Sequence, residues 1–341
     1  MAVQAPAQSS VKSEEKLYRV ALREALAEEM ERDDTIYLIG EDIGKFGGAY
    51  RVTDGLLDKF GPQRVVDAPI AEEVIVGTAI GSAMLGLRPV VEMMTINFSL
   101  IAYDQIVNNA AKIRYMFGGE VKVPMVIRMP GGAGHQLSAQ HSHSFEVLYG
   151  LIPGLLVVAP TTPEDAKGML KSAIRSDNPV IFLESMSLYN VKGEVPSGDY
   201  TTPLGKAALR RNGSDVTIVG VSRMAVLANE AAKQLEEEGV DAEVIDLRSI
   251  RPIDWQPIIE SVRKTSRCVV VEEGWSTYGV TAELAAGVQE KAFDYLDAPV
   301  RRLGGAQVPM PYSQPLEKAS IPTSEDIKRL VRATLGRKVD A

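Results

Sequence analysis

The chain has one cysteine, Cys268, and it lies in the apolar run Arg267-Cys-Val-Val-Val271. A lone thiol in such a run reads as a buried strand residue, so a disulfide framework and a thiolate metal cage are both excluded. No apolar stretch reaches the roughly 20 residues that cross a bilayer, which argues against a membrane partner. No basic run is dense, and the formal net charge is −8 over 341 residues. Nucleic acid is therefore an unsuitable partner, because its phosphates would be repelled rather than neutralised. The first fifteen residues, MAVQAPAQSSVKSEE, lack the hydrophobic middle of a secretory signal. They also lack the arginine-rich, acid-poor bias of a transit peptide, and are read as a loose arm of a cytoplasmic protein.

What is present is the pattern of an α/β protein long enough for two domains, with 45% apolar and 24% charged residues. Leu22, Leu26 and Met30 recur at helical spacing, and Thr35 to Ile39 is a short apolar strand. Helical patterns cover Glu73 to Leu85 and Asp104 to Met116. Buried strands are expected at Val123 to Met129, Leu155 to Ala159 and Pro179 to Leu183. Thr162-Pro163-Glu164-Asp165 is a helix start, with a capping hydroxyl, a first-turn proline and acids at the positive end of the dipole. Asn190 to Ala207 breaks the rhythm and reads as a linker. Beyond it the alternation resumes: strands at Val216 to Val219, Ala242 to Leu247 and Cys268 to Val271, with helices between them and a last helix after Pro322-Thr323-Ser324. Short β-branched strands alternating with helices indicate two α/β domains with mainly parallel sheets. The expected division is an arm (1–15), a first domain (16–190), a linker (191–207) and a smaller second domain (208–341).

In open α/β sheets ligands bind beyond the carboxyl ends of the strands, and three segments there carry candidate chemistry. Gly40-Glu41-Asp42-Ile43-Gly44-Lys45-Phe46-Gly47-Gly48 sets two acids between glycines, as a site loop or as a flexible surface loop. It does not fit a dinucleotide fingerprint, because no G-x-G-x-x-G opens a helix there. Asp67 to Glu73 leads into a helix whose Gly77 and Gly81 share one face, which allows another helix backbone to approach closely. Glycine in a helix interior costs about 0.5–1 kcal/mol relative to alanine, so a contact is expected to offset it. Glu73 reads as a dipole-complementing acid; Glu72 would sit at the tight contact, where desolvation acts on its carboxyl. The third segment, Pro130 to His143, is glycine-rich and holds all three histidines: His135, His141 and His143. Its spacing matches no zinc pattern and contains no carboxylate, so proton transfer by one histidine is the better reading.

Glu72, four residues, Gly77-Thr78, two residues and Gly81 resemble the E-x4-G-φ-x-x-G motif of pyrimidine-binding domains in thiamine-diphosphate enzymes. Thr78 departs from the usual apolar residue. Gly-Glu-Asp-Ile-Gly at 40–44, Gly-Leu-Arg-Pro at 86–89, Ala-Gln-His-Ser at 139–142 and Lys-Ser-Ala-Ile-Arg at 171–175 extend the likeness from about Leu17 to near the C-terminus. Together they resemble the beta subunits of the decarboxylating component of pyruvate dehydrogenase and related 2-oxoacid dehydrogenases, with a C-terminal domain similar to that of transketolase.

The resemblance implies roles residue by residue. Glu72 matches the glutamate that hydrogen-bonds the cofactor's pyrimidine nitrogen and so favours loss of the thiazolium proton. Met94 and Phe98 match positions that pack around the pyrimidine. Glu41 matches a second acid suited to a proton relay, and His141 the histidine that manages protons during acyl transfer to lipoamide. A structural potassium ion is implied at Met125, Ala173, Ile174, Ser176 and Asn178, with Ser176-Asp177 standing where relatives often read Asp-Asn. The Gly-Asp-Gly motif that holds magnesium and the diphosphate in these enzymes is absent. The family obtains that site from an alpha subunit in an alpha2beta2 heterotetramer, and a face bared by Gly77 and Gly81 suits such a buried interface. The implied activity is oxidative decarboxylation of pyruvate with transfer of the acetyl group to a dihydrolipoyl acyltransferase core. Branched-chain 2-oxoacids or acetoin are alternative substrates, and a non-catalytic scaffold subunit is the alternative of another class.

Overall fold

The computed structural model describes residues 12–337. The first half of the chain supplies β1 (Ser13–Leu17), β2 (Ile36–Gly40), β3 (Val65–Asp67), β4 (Arg88–Glu92), β5 (Val126–Gly131), β6 (Leu156–Val158), β7 (Val180–Ser185) and β8 (Lys192–Pro196). The second half supplies β9 (Ala208–Arg211), β10 (Val216–Gly220), β11 (Ala242–Asp246), β12 (Ser249–Arg251), β13 (Cys268–Trp275) and β14 (Arg301–Gly305). They build a seven-stranded sheet ordered β12-β6-β7-β5-β4-β2-β3, a five-stranded sheet ordered β14-β13-β10-β11-β9 and a two-stranded ribbon of β1 and β8. Each of the two larger sheets is parallel except at one edge, where β12 and β9 run antiparallel to their neighbours. Strands such as β7 and β10 are buried along their whole length, as expected where helices cover both faces.

Local chemistry explains where several helices begin. The Thr162 side chain accepts the Asp165 N–H at 3.1 Å ahead of helix Pro163–Arg175. Thr323 and Asp326 form a reciprocal capping box ahead of helix Ser324–Thr334. The expected helix from Asp104 to Met116 is broken into a wide π turn, Gln105–Ala110, and a short helix, Ile113–Met116. Ile106, Ala110 and Ile113 are buried at the i, i+4, i+7 spacing of one helix face, so the wide turn keeps the apolar stripe on the core.

The segment read as a linker, 191–207, contains β8, which pairs antiparallel with β1 from the last residues of the expected arm. Residues 1–11 of that arm, and 338–341 of the second domain, lie outside the described residues. The β1–β8 ribbon has too few apolar residues for a sequence pattern to reveal it; cross-strand partners such as Lys192 and Glu15, 2.9 Å apart, assemble only in the fold. The division at 208 is also crossed. β12 comes from the second half yet forms the edge of the first sheet. One apolar cluster runs from Ile39, Val91 and Ile127 through to Val219, Ile245 and Val270, so the two sheets share a continuous core. Among the described residues, no helix is long and apolar enough to cross a membrane.

Candidate functional site

Adjacent parallel strands deliver the candidate residues to one end of the first sheet. Glu41 follows β2, Glu72 follows β3, Met94 and Phe98 follow β4, and the histidine segment follows β5. These four strands are neighbours in the order β5-β4-β2-β3, so the carboxyl ends of one sheet bring the four segments together.

The glycine-rich loop after β2 is built rather than slack. Ile43 is fully buried, and the Asp67 carboxylate accepts the backbone N–H of Gly44 at 2.6 Å and of Lys45 at 3.3 Å. A side chain at Gly44 would press a Cβ within 2.5 Å of Asp67 Oδ2, so glycine is required there. The loop holds Glu41 at 6% exposure, with Oε1 lacking a hydrogen-bond partner among the described residues. Burial, followed by the neighbouring charges of Glu72 and Asp42, pushes the Glu41 carboxyl above its ordinary value. Glu72, 4% exposed, opens helix Glu72–Met84 and finds no hydrogen-bond partner among the described residues. Glu73 is exposed, as a dipole-complementing acid should be.

The close contact expected at Gly77 and Gly81 is not made among the described residues. A Cβ at Gly81 would meet nothing within 4 Å, and one at Gly77 would meet only the Gln105 side chain, at 3.7 Å. The face these glycines bare carries Val74 at 64% and Leu85 at 89% exposure, with Ile70 just before the helix at 81%. Tyr115, Met116 and Phe117 are exposed as well. Apolar exposure on this scale is characteristic of an interaction surface.

Phe98 lies on the 3-10 turn Ile96–Leu100 and meets His141 edge to face, with ring centroids 5.1 Å apart. Met94 is half-buried and His141 exposed. The two segments are tied through Asn97, whose Oδ1 accepts the His143 backbone N–H at 3.2 Å. His143 stacks on Phe145 at 4.1 Å and points its edge toward Trp275. Burial, and then the charge of His141, lower the His143 pKa. His135 is exposed at the loop tip. Among the described residues, no group of three histidine, cysteine or acid side chains is arranged to hold a metal ion.

The five residues expected around potassium gather where helix Pro163–Arg175 ends and β7 begins. Arg88 Nη1 donates to the carbonyls of Ile174 at 2.9 Å and Ser176 at 3.0 Å. The Ala173 carbonyl accepts the Ser176 N–H, the Met125 carbonyl accepts the Val180 N–H, and Arg114 donates to the Asn178 side chain.

Beneath the site lies a buried ionic network that the spacing arguments did not single out. Arg128 on β5 is 1% exposed; its Nε and Nη2 grip Glu184 on β7 at 2.7 and 2.8 Å, and Nη1 reaches Glu92 at the end of β4. Tyr189 donates to Glu184 Oε2 at 2.7 Å. Burial raises the Glu92 pKa against the pull of Arg128, while Glu184 and Glu92 outweigh the burial that disfavours the Arg128 charge. A Cβ on Gly48 would stand 2.8 Å from Glu92 Oε1, so the network forms the floor under the Glu41 loop. The available signal was a charged residue inside an apolar strand, Val126-Ile-Arg-Met129.

Residues 14–192 match the model of the transketolase pyrimidine-binding domain, and residues 205–327 that of the transketolase C-terminal domain. The chain is 50% identical over 314 residues to the pyruvate dehydrogenase E1 component subunit beta of Rickettsia conorii, covering 92% of this chain and 96% of that one. It is also 50% identical over 321 residues to the mitochondrial subunit beta-1 of Arabidopsis thaliana, covering 93% and 88%. Among solved structures, a split-gene transketolase described as an inactive beta4 tetramer superimposes with a TM-score of 0.78 at 27% identity, covering 94% of this chain and 99% of that one. On its two matched domains and these identities, the chain belongs to the family of pyruvate dehydrogenase E1 component beta subunits, built on the transketolase fold.

Proposed function

We propose that the chain is the beta half of a pyruvate-decarboxylating enzyme that binds thiamine diphosphate jointly with an alpha subunit. The observation that carries this reading is the pair Glu41 and Glu72. Two buried carboxyl groups, one with an oxygen lacking a partner among the described residues, stand near enough for the charge of Glu72 to raise the Glu41 carboxyl, beside a helix face left bare. Buried polar groups without partners are costly, so such an arrangement suits a ligand that completes it.

When bound, the cofactor supplies the electron sink for decarboxylation. Glu72 holds a proton at the pyrimidine ring nitrogen, Met94 and Phe98 wall the ring, and Glu41 exchanges protons with Glu72. His141 serves at the open side, where a lipoyl group arrives. In the overall reaction CO2 leaves pyruvate, the acetyl group bonds to one sulfur of the lipoyl disulfide, and the other sulfur takes a proton to become a thiol. Magnesium and the diphosphate fall to the alpha subunit, since this chain lacks the Gly-Asp-Gly segment. The bare face around Val74, Gly77, Gly81 and Leu85 is where that subunit would pack, giving an alpha2beta2 assembly that docks on an acyltransferase core. The split-gene transketolase described as inactive in its beta4 form agrees with a half-enzyme.

Purified alone, the chain is expected to show negligible 2-oxoacid turnover. Co-expressed with an alpha-type subunit, it should turn over pyruvate at least about tenfold better, in kcat/KM, than 2-oxoisovalerate or acetoin. Strong turnover by the isolated chain would overturn the half-enzyme reading. Preference for another substrate would reassign the specificity, and an assembled protein inactive on all three would leave a scaffold.

The proposal includes a structural potassium ion. Carbonyls of Ile174 and Ser176 converge on positive charge at Arg88, and each carbonyl oxygen retains a second lone pair. The assembled protein should melt about 2 °C or more higher in potassium chloride than in choline chloride of equal strength. Identical melting curves would remove the ion.

A further inference from the structure

The loop between Gly132 and His143 is closed from its own domain but shaped from the other. The Gly132 N–H donates to the His143 carbonyl at 3.0 Å, which joins the two ends. Between them Gly132, Gly134, Gln136 and Ser138 all have positive φ, at 93°, 104°, 56° and 66°. Gln136 and Ser138 are not glycines, so this path is one the segment would not keep unaided; it persists only where surrounding groups over-determine it.

Asn97 and Ser187 of the first domain bond the loop at His143 and Ala133, and the carboxylates that hold its turns come from the second domain. Glu317, on helix Gln314–Ser320, is 2% exposed. Its Oε1 accepts the backbone N–H of Gly134 at 2.9 Å and of Gln136 at 3.0 Å, and Oε2 lies 3.2 Å from the same Gln136 nitrogen. Glu273, on β13, grips both ends: its Oε1 accepts the Ala133 N–H at 2.7 Å and the Ser144 hydroxyl at 3.3 Å. Its Oε2 is held in turn by Arg223 at 3.2 Å. Charge-assisted bonds to backbone N–H groups are the strong class of hydrogen bond, and here they fix left-handed turns that no side chain of the loop itself fixes.

We propose that Glu317 is a positioning residue for His141, acting through the backbone of the histidine loop. The assignment rests on the role given to His141 under the proposed function. The second domain, which contributes neither Glu41 nor Glu72, thereby sets where the histidine stands over Phe98. Removal of Glu317 frees two N–H groups and releases the positive-φ turns, so the His141 imidazole loses its fixed place. A displacement of about 1 Å in a group of this kind can cost on the order of a hundredfold in rate.

The test uses the assembled alpha–beta protein with a lipoyl-domain acceptor and, separately, an artificial electron acceptor that reports decarboxylation. Glu317→Ala should lower acyl transfer to the lipoyl domain at least about tenfold further than decarboxylation. Backbone amide exchange at Gly134 and Gln136 should accelerate in the same variant. Glu317→Gln keeps one acceptor oxygen and should recover most of both. If Glu317→Ala does not assemble, Glu317→Asp retains the charge but withdraws the carboxylate by one methylene, and should show the same selective loss. Equal losses in the two reactions, or unchanged amide exchange, would overturn the positioning role. His141→Ala measured alongside separates the two claims. Selective loss there with none at Glu317 sinks this inference alone, whereas intact acyl transfer in His141→Ala sinks the histidine's assignment itself.

Discussion

Glu72→Gln, assembled with an alpha subunit, is expected to slow exchange of the cofactor's thiazolium C2 proton by about 10²–10⁴-fold, the usual weight of a positioned proton-transfer group. Thiamine diphosphate binding should change far less, because the amide keeps the size and most of the hydrogen-bonding capacity of the acid. The expectation follows from where the side chain stands. Glu72 is buried at the first turn of a helix, with no hydrogen-bond partner among the described residues and the Glu41 carboxyl as its neighbour. Proton exchange at C2, followed by quenched deuterium labelling, isolates this step from substrate binding and product release. An unchanged exchange rate would remove Glu72 from cofactor activation. Equal losses in exchange and in cofactor affinity would make it a binding residue only.

Arg128→Met is expected to destabilise the protein by about 3–5 kcal/mol, the cost of breaking a buried ion pair from one side. The guanidinium is the positive partner of both Glu92 and Glu184, and all three are buried. Its removal strands two carboxylates in the core, with the Tyr189 hydroxyl bonded to one of them. Because Glu92 underlies Gly48, the loop that carries Glu41 should loosen as well. Urea denaturation gives the stability change, and Arg128→Met combined with Glu92→Gln and Glu184→Gln provides the control. The triple variant should regain a large part of the loss, since neutral groups of similar shape leave no uncompensated charge. A single-variant loss below about 1 kcal/mol would show that water reaches the network.

The sequence by itself determined the α/β rhythm, the two capped helices at Thr162 and Thr323, and the candidate chemistry at Glu41, Glu72 and the histidine segment. These were legible because each rests on local physics: apolar period, capping hydroxyls, and polar residues at strand ends flanked by glycine. The Glu72–Gly77–Gly81 spacing carried the family likeness for the same reason, being a short pattern on one helix. Tertiary structure alone decided the rest. The β1–β8 ribbon and the β12 edge strand pair residues more than 90 positions apart and have no periodicity of their own. Arg128 could be seen as a charge in an apolar strand, but its partners on β4 and β7 become neighbours only through the parallel crossovers. Glu317 lies 183 residues after Gly134 in sequence, and only domain packing brings it to the backbone it bonds. Gly77 and Gly81 mark a face suited to a close contact or a buried interface, and the described residues leave it open. The described residues fold their own core and still expose that face, where the proposed alpha subunit would pack. Bare glycines permit a backbone to approach, but only packing decides which chain supplies it.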